Sequence, residues 1–261
     1  MIDFHSFENT NSYSNRNIDL TWVEKLQTFI GNPQQKTAVD MGCGGGLYTK
    51  VLADLGFKEI YGIDFSDAML TSASNNYHHL HQAQFLKGNA YNSGLESDSV
   101  DFYLQRAVLH HLTDPEAAFI EAARILRQEG IIYIQDRTME DCLIPGSTSH
   151  LRGYLYYDFP ELIEIEKQRR PTISETIGQL KTAGFTEIKQ MNLWEVRKHY
   201  ASFQELRKDI QSRKGRSILH ELSDAEIKLW IQKLENRLPN DTEIIEKDRW
   251  TIWIAHKKDS N

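Results

Sequence analysis

The residues whose types and spacing could do chemistry are glycines and carboxylates. Val39-Asp40-Met41-Gly42-Cys43-Gly44-Gly45-Gly46-Leu47 closes a short apolar run and opens a helical pattern. Glycines in such a turn let the chain double back and let a ligand approach bare backbone. Asp64 stands 22 positions after Gly42, at the end of the next apolar run. A carboxylate there can accept hydrogen bonds from both ribose hydroxyls of an adenosine; as a structural residue it would cap the following helix. Asp40 precedes the first glycine. Its carboxylate can meet a ligand ammonium or tie down the loop, and both roles stay open.

Other patterns narrow the chemistry. Gly42, Gly44 and Gly46 spell G-x-G-x-G, and Leu47 takes the last place of the G-x-G-x-x-G dinucleotide fingerprint, which counts against a nicotinamide oxidoreductase. No G-x-x-x-x-G-K-[ST] occurs, so an ordinary P-loop is excluded. His110 and His111 follow a strand-like run and titrate near neutrality, so they are the candidate general bases; alternatively one packs under the loop and the other faces solvent. His78, His79 and His81 sit near a helix end, where imidazolium suits the dipole, and no metal site is expected. Tyr154, Tyr156 and Tyr157 either line a pocket or pack a cap. Arg169-Arg170 and Arg213-Lys214-Gly215-Arg216 read as solvated basic runs.

These residues need elements to hold them. Asp19 can cap a helix LTWVEKLQTFI, closed by Gly31-Asn32-Pro33. Strand-like runs occur at 37–41, 59–65, 84–87, 100–104 and 131–134, separated by helical patterns that start at Leu47, after Ser66 or Asp67 (DAMLTSASNNYHHL), and at Asp114-Pro115. Such alternation implies a doubly wound α/β fold, a mostly parallel sheet with helices on both faces. The rhythm breaks at 138–172, resumes with helix ISETIGQLKTAGF and strand 186–196, breaks again at 200–238, and ends on the strand WTIWIA. The expectation is a single domain over 1–261, with 138–172 and 200–238 as helical insertions forming a partial substrate cap. Ligands of open parallel sheets bind beyond the carboxyl ends of the strands, at the switch point.

Composition bounds the partners. The chain has 261 residues and a net charge of −7. An acidic protein is a poor general partner for nucleic acid, whose phosphates must be neutralised. Two distant cysteines, Cys43 and Cys142, build no disulfide framework and suit a reducing compartment. The first 18 residues lack the basic and apolar regions of a secretory signal, and no run approaches the roughly 18 apolar residues of a membrane span. A cytoplasmic protein with a small-molecule substrate is expected.

With these residues in view, VDMGCGGG resembles motif I of class I, Rossmann-like, S-adenosylmethionine-dependent methyltransferases, and YGIDFSDAML resembles their second motif. Lys87-Gly88-Asn89-Ala90 is similar to the adenine-contacting segment, with Asn where Asp is commoner. VDFYLQRAVLHHL and ARILRQEGIIYIQD resemble the segments that follow. The detailed likeness spans 37–136 and is nearest to the group that includes ubiquinone/menaquinone-biosynthesis methyltransferases. It implies a seven-stranded sheet with an antiparallel last strand and S-adenosylmethionine as cofactor. It implies that Gly42 and Gly44 line the methionine part and that Asp64 holds the ribose. Met69 would pack on the adenine or simply in the helix core, Asn89 and Ala90 would meet the adenine edge, and Gln105 would lie near the sulfonium. In related enzymes a polar N-terminal segment, here with His5 and Tyr13, folds over the cofactor. A non-catalytic S-adenosylmethionine-binding protein remains the alternative that intact motifs do not reject.

Overall fold

Each strand of an alternating chain buries its apolar side chains under the helix that follows it, so the strands gather into one sheet. The protein is described here by a computed structural model covering residues 18–238 and 242–258. Its strands are β1 (Thr37–Met41), β2 (Glu59–Asp64), β3 (Ala83–Lys87), β4 (Val100–Arg106), β5 (Leu126–Asp136), β6 (Phe185–Tyr200) and β7 (Ile244–Lys257). They lie in the order β3-β2-β1-β4-β5-β7-β6. Strands β1 to β5 pair in parallel, and β7 runs antiparallel to both β5 and β6. The strand order reverses between β1 and β4, which puts the switch-point crevice beyond their carboxyl ends.

The helices that position the crevice are α1 (Leu20–Ile30), α2 (Leu47–Asp54), α3 (Asp67–Tyr77) and α4 (Pro115–Ile125). Their starts obey local chemistry. Asp19 accepts from the Thr21 amide at 2.8 Å, Ser66 accepts from the Met69 amide at 3.4 Å, and Asp114 accepts from the Ala117 amide at 3.1 Å with Pro115 opening the first turn. Helix α3 stops at Tyr77, three residues short of the Leu80 expected from its pattern. Alternate strand residues feed two apolar layers. Val39, Met41, Tyr103, Ile132, Ile134 and Trp253 pack with Phe119 on one face. Ala38, Phe102, Leu104, Tyr133 and Ile252 pack with Trp22 and Leu52 on the other.

Segment 138–172 forms α5 (Met139–Cys142), α6 (Leu151–Asp158) and α7 (Leu162–Lys167); α8 (Ile173–Thr182) then returns to the sheet. Segment 200–238 forms α9 (Phe203–Ser212) and α10 (Asp224–Arg237). Leu151, Leu155, Tyr156 and Leu162 of the first segment bury against Leu206, Ile210, Trp230 and Leu234 of the second, a third apolar cluster apart from the two layers on the sheet. Tyr156 is inside this cluster, Tyr154 packs against it, and Tyr157 is exposed.

Three expectations need correction. Strands β6 and β7 form an antiparallel ribbon far longer than the runs 186–196 and 250–255, because its outer half carries charges that read as loop. Those charges are buried and paired: Glu246 meets Arg216 at 2.6 Å, and Asp248 meets Arg137 at 3.0 Å and Arg152 at 3.1 Å. Strand β5 likewise runs over 126–136 rather than 131–134. The basic runs are not solvated throughout. Arg170 is buried between Asp136 (3.1 Å) and Glu166 (2.5 Å), and Arg216 is buried against Glu246 and Asp209. A buried guanidinium of this kind persists only because a carboxylate replaces the water it gives up.

Candidate functional site

The site begins where β1 runs out. Gly42, Gly44 and Gly46 all take positive φ, +75°, +52° and +85°, so the loop coils tightly before α2. The amides of Gly42 and Cys43 both donate to the Ile63 carbonyl, at 2.8 and 3.0 Å, and strap the loop to β2. A Cβ on Gly42 would lie 2.3 Å from Val108 Cγ2, so that glycine is demanded by packing. A Cβ on Gly44 would meet nothing within 4 Å, so there the backbone stands bare before open space.

Two carboxylates flank this loop. Asp64, at the tip of β2, accepts from the Gly44 amide and from the Ser66 amide, each at 2.9 Å. It thus joins the glycine loop to the start of α3 while retaining lone pairs for a ligand. Burial pushes its pKa up, and the backbone donors oppose that. Asp40 lies inside the sheet, 1 % exposed, and accepts from the Thr49 hydroxyl at 2.7 Å. Burial, with the nearby Asp64 charge adding to it, pushes its pKa up to about 7. Two carboxylates with so little cationic compensation favour a positively charged visitor.

The rest of the crevice comes from the neighbouring strand ends. Gln105 pairs with Met41 across β1 and β4 and is wholly buried. Its Oε1 accepts from the Tyr103 hydroxyl at 3.0 Å, while its Nε2 is buried with no partner among the described residues. Met69 is buried in the first turn of α3. Ala90 is buried after β3, and Asn89 is exposed, its Oδ1 taken by the amides of Tyr91 (2.9 Å) and Asn92 (3.0 Å). Only the amide NH2 of Asn89 is therefore left to address a ligand. The bare Gly44 backbone, the unpaired Gln105 amide and the Asp64 lone pairs fit a nucleoside carrying a cationic amino-acid tail.

The two histidines part company. The His110 side chain is buried and its Nδ1 lies 2.8 Å from Asp136, which also accepts from the His110 amide at 3.1 Å. Burial, together with Arg170 and Arg137, holds His110 below its ordinary pKa although Asp136 pulls the other way, so the ring is neutral at pH 7. Asp136 is buried, yet it stays ionised, held below the usual carboxylate range by hydrogen bonds from the His110 ring and amide and by the Arg170 charge. His111 is exposed, with its ring 3.9 Å from that of His110. His5 and Tyr13 lie outside the described residues.

Sequence reasoning missed a second set of residues at the same end of the sheet. Arg106, directly after Gln105, sits over the rings of Tyr48, Trp250 and Trp22 at 4.6, 4.7 and 5.2 Å and pairs with Glu195 at 2.6 Å. Gln135 donates to the same Glu195 carboxylate. Arg137, directly after β5, lies 4.0 Å over Trp250. The signal was positional: Arg106 is the last residue of β4 and Arg137 the first beyond β5, at the carboxyl ends where ligands of such sheets gather.

Known proteins resemble this chain in sequence and fold. Residues 39–134 match the methyltransferase domain family. The demethylmenaquinone methyltransferase of Bacillus licheniformis is 27 % identical over 129 residues, 49 % of this chain and 56 % of its own. The ubiquinone biosynthesis O-methyltransferase of Cupriavidus pinatubonensis is 30 % identical over 124 residues, 44 % of this chain and 45 % of its own. The chain thus spans about half the length of these curated relatives. A crystal structure of a putative methyltransferase from an antibiotic biosynthesis pathway of Anabaena variabilis shares the fold, with a TM-score of 0.70 at 22 % identity over 90 % of this chain and 97 % of that one. Among the described residues no helix is long and apolar enough to cross a membrane, and no group of three or more His, Cys, Asp or Glu could hold a metal. Residues 39–134 of this chain are thus similar to the methyltransferase-domain family, and the curated relatives that match the same part of the chain are named as methyltransferases.

Proposed function

We propose that the protein transfers the methyl group of S-adenosylmethionine to a small-molecule acceptor. The observation that carries this reading is the pairing of the bare Gly44 backbone with the Asp64 carboxylate, 2.9 Å apart, at the mouths of β1 and β2. Asp64 holds the ribose hydroxyls, Gly42 and Gly44 line the methionine part, and Asp40 faces its positive charge. Met69, Ala90 and the Asn89 amide bound the adenine, and Gln105 Nε2 donates near the sulfonium. When bound, S-adenosylmethionine supplies an electrophilic methyl group on a sulfonium whose leaving group departs neutral. The protein therefore needs no acid, and its main work is to align the acceptor in line with that methyl, which can supply about 7–11 kcal/mol.

An acceptor that must lose a proton needs a base. His110 takes that role: Asp136 fixes Nδ1–H, which leaves Nε2 as the accepting nitrogen. The segments 138–172 and 200–238 form a partial cap over the acceptor, a role supported by the apolar cluster they share. Names among the relatives, demethylmenaquinone and ubiquinone methyltransferases, support a small acceptor. The net charge of −7 disfavours nucleic acid, and the two thiols suit the cytoplasm.

The test has two stages. S-adenosylmethionine, and not NAD, should raise the melting temperature of the pure protein; the reverse would move the reading to an oxidoreductase. With a metabolite extract, S-adenosylhomocysteine should appear together with a small molecule 14 Da heavier. Cofactor binding without either product would leave a binding protein.

A further inference from the structure

A cavity opens beside the cofactor crevice, lined by Tyr48 of the first turn of α2, Arg106 at the end of β4, Arg137 after β5, and Trp250 of β7. It encloses about 50 Å³, room for a few waters or one small polar group and not for a whole metabolite. Most charges on its wall are answered. Arg106 makes a two-pronged pair with Glu195, at 3.0 and 2.6 Å. Arg197 has Glu246 at 2.9 Å and Asp209 at 3.2 Å. Asp19 accepts from the amides of Thr21 and Val196.

Arg137 is the exception. Its Nη1 donates to Asp248 at 3.0 Å, but that carboxylate is shared with Arg152, bound at 3.1 and 3.4 Å. One carboxylate thus serves two guanidiniums. Arg137 Nε is buried with no partner, and among the described residues no hydrogen bond engages Nη2 either. Nε–H and Nη2–H point the same way and form the side-on fork by which arginine grips a planar oxyanion. The face of Trp250, 4.0 Å from the guanidinium, holds that fork in place. Burial and the neighbouring Arg152 lower the Arg137 pKa to about 10, the sign of a cation short of counter-charge.

We infer that the acceptor carries an oxyanion, a carboxylate or a phosphate, and that the Arg137 Nε–Nη2 fork binds it in this cavity, fixing the acceptor beside the cofactor. This rests on the methyltransferase reading. A hydrogen-bonded ionic contact left unmade in a buried site is costly, so a neutral analogue of the same shape is rejected.

The test is calorimetric titration of the full chain, saturated with S-adenosylhomocysteine, with benzoate, with inorganic phosphate, and with benzamide as the neutral control. We expect benzoate or phosphate to bind and benzamide not to. Arg137→Lys keeps the charge but loses the fork, and it should weaken the anion at least tenfold while S-adenosylhomocysteine affinity stays within twofold. If neither anion binds the loaded wild-type protein, or if Arg137→Lys binds them as well as wild type does, the inference is overturned and the methyltransferase reading stands. If Arg137→Lys loses S-adenosylhomocysteine together with the anion, the fork serves the cofactor's own carboxylate and the inference also fails. Failure of the wild-type protein to bind S-adenosylhomocysteine at all would instead remove the underlying reading. The wild-type titrations need no variant to fold, and melting of Arg137→Lys reports its integrity.

Discussion

The carboxylate of Asp64 lies 2.9 Å from the amide of Gly44, across the gap between the ends of β2 and β1. Its other oxygen holds the Ser66 amide at the same distance. One side chain therefore sets the curvature of the glycine loop, starts α3, and still presents lone pairs to the crevice. A structural cap and a nucleoside clasp are not rivals at this position, because a carboxylate has about four acceptor sites and the backbone uses two.

Asp64→Asn tests that division of labour. The amide keeps one carbonyl oxygen for the backbone but cannot accept from two ribose hydroxyls. Hydrogen bonds to a charged group are worth about 1.5–3 kcal/mol each. S-adenosylmethionine affinity measured by calorimetry should fall at least tenfold, and the melting temperature should drop too, because either the Gly44 or the Ser66 amide loses its acceptor. Unchanged affinity would remove Asp64 from the cofactor site.

Asp40 couples binding to protons. Its pKa in the folded chain is pushed up to about 7 from an ordinary 3.8. Between those values the folded state holds more protons than the unfolded one, so this group's share of stability falls as pH rises through the window. A positive charge placed beside it favours the carboxylate and expels the proton. S-adenosylmethionine should therefore bind more tightly as pH rises from about 5 to 7, by at most about tenfold per unit, and then level off. Calorimetry at pH 6 in two buffers of different ionisation enthalpy should show proton release, and Asp40→Asn should abolish it. Equal heats in both buffers for the wild type would sink the idea.

Much of this was legible in the sequence. The glycine spacing, the caps at Asp19, Ser66 and Asp114, and the places of the first five strands along the chain follow from local rules, since each depends on a few adjacent residues. The outer half of the β6–β7 ribbon was not legible. Glu246-Lys247-Asp248-Arg249 alternates like a strand but in charges, and only tertiary partners such as Arg216, Arg137 and Arg152, distant in sequence, make its inward carboxylates tolerable. The same holds for Arg106 and Arg137: a single arginine at a strand end is mute until the aromatic rings that frame it are known.

His110 should reveal itself by pH. Its folded pKa lies below the ordinary 6.5, so protonation favours the unfolded chain. Its contribution to stability is complete above about pH 6.5 and is lost as pH falls below that value. Urea midpoints should drop in that range, and His110→Gln should flatten the drop. Loss of a general base typically lowers turnover about 10²–10⁴-fold. With the acceptor in hand, His110→Gln should show such a loss in kcat at unchanged S-adenosylhomocysteine affinity. A flattened stability profile with normal kcat would leave His110 as a strap between the β4 loop and β5.

Gly42 and Gly44, two residues apart, should fail in opposite ways when changed to alanine. At Gly42 the new methyl would lie 2.3 Å from Val108 Cγ2, at a backbone φ of +75°. Overpacking of about 1–3 kcal/mol adds to the strain of a left-handed conformation, so the protein should melt several degrees lower. Val108→Ala should recover part of that loss, because it vacates the contested space. At Gly44 the same methyl meets nothing within 4 Å, and φ is +52°. Only the left-handed cost remains, about 1–2 kcal/mol, and Val108→Ala should not relieve it. The methyl would, however, stand where a ligand must touch the backbone, so Gly44→Ala should bind S-adenosylmethionine at least tenfold more weakly at temperatures where it is fully folded. A Gly44→Ala protein with wild-type affinity would mean that the open space before the loop is not where the cofactor lies.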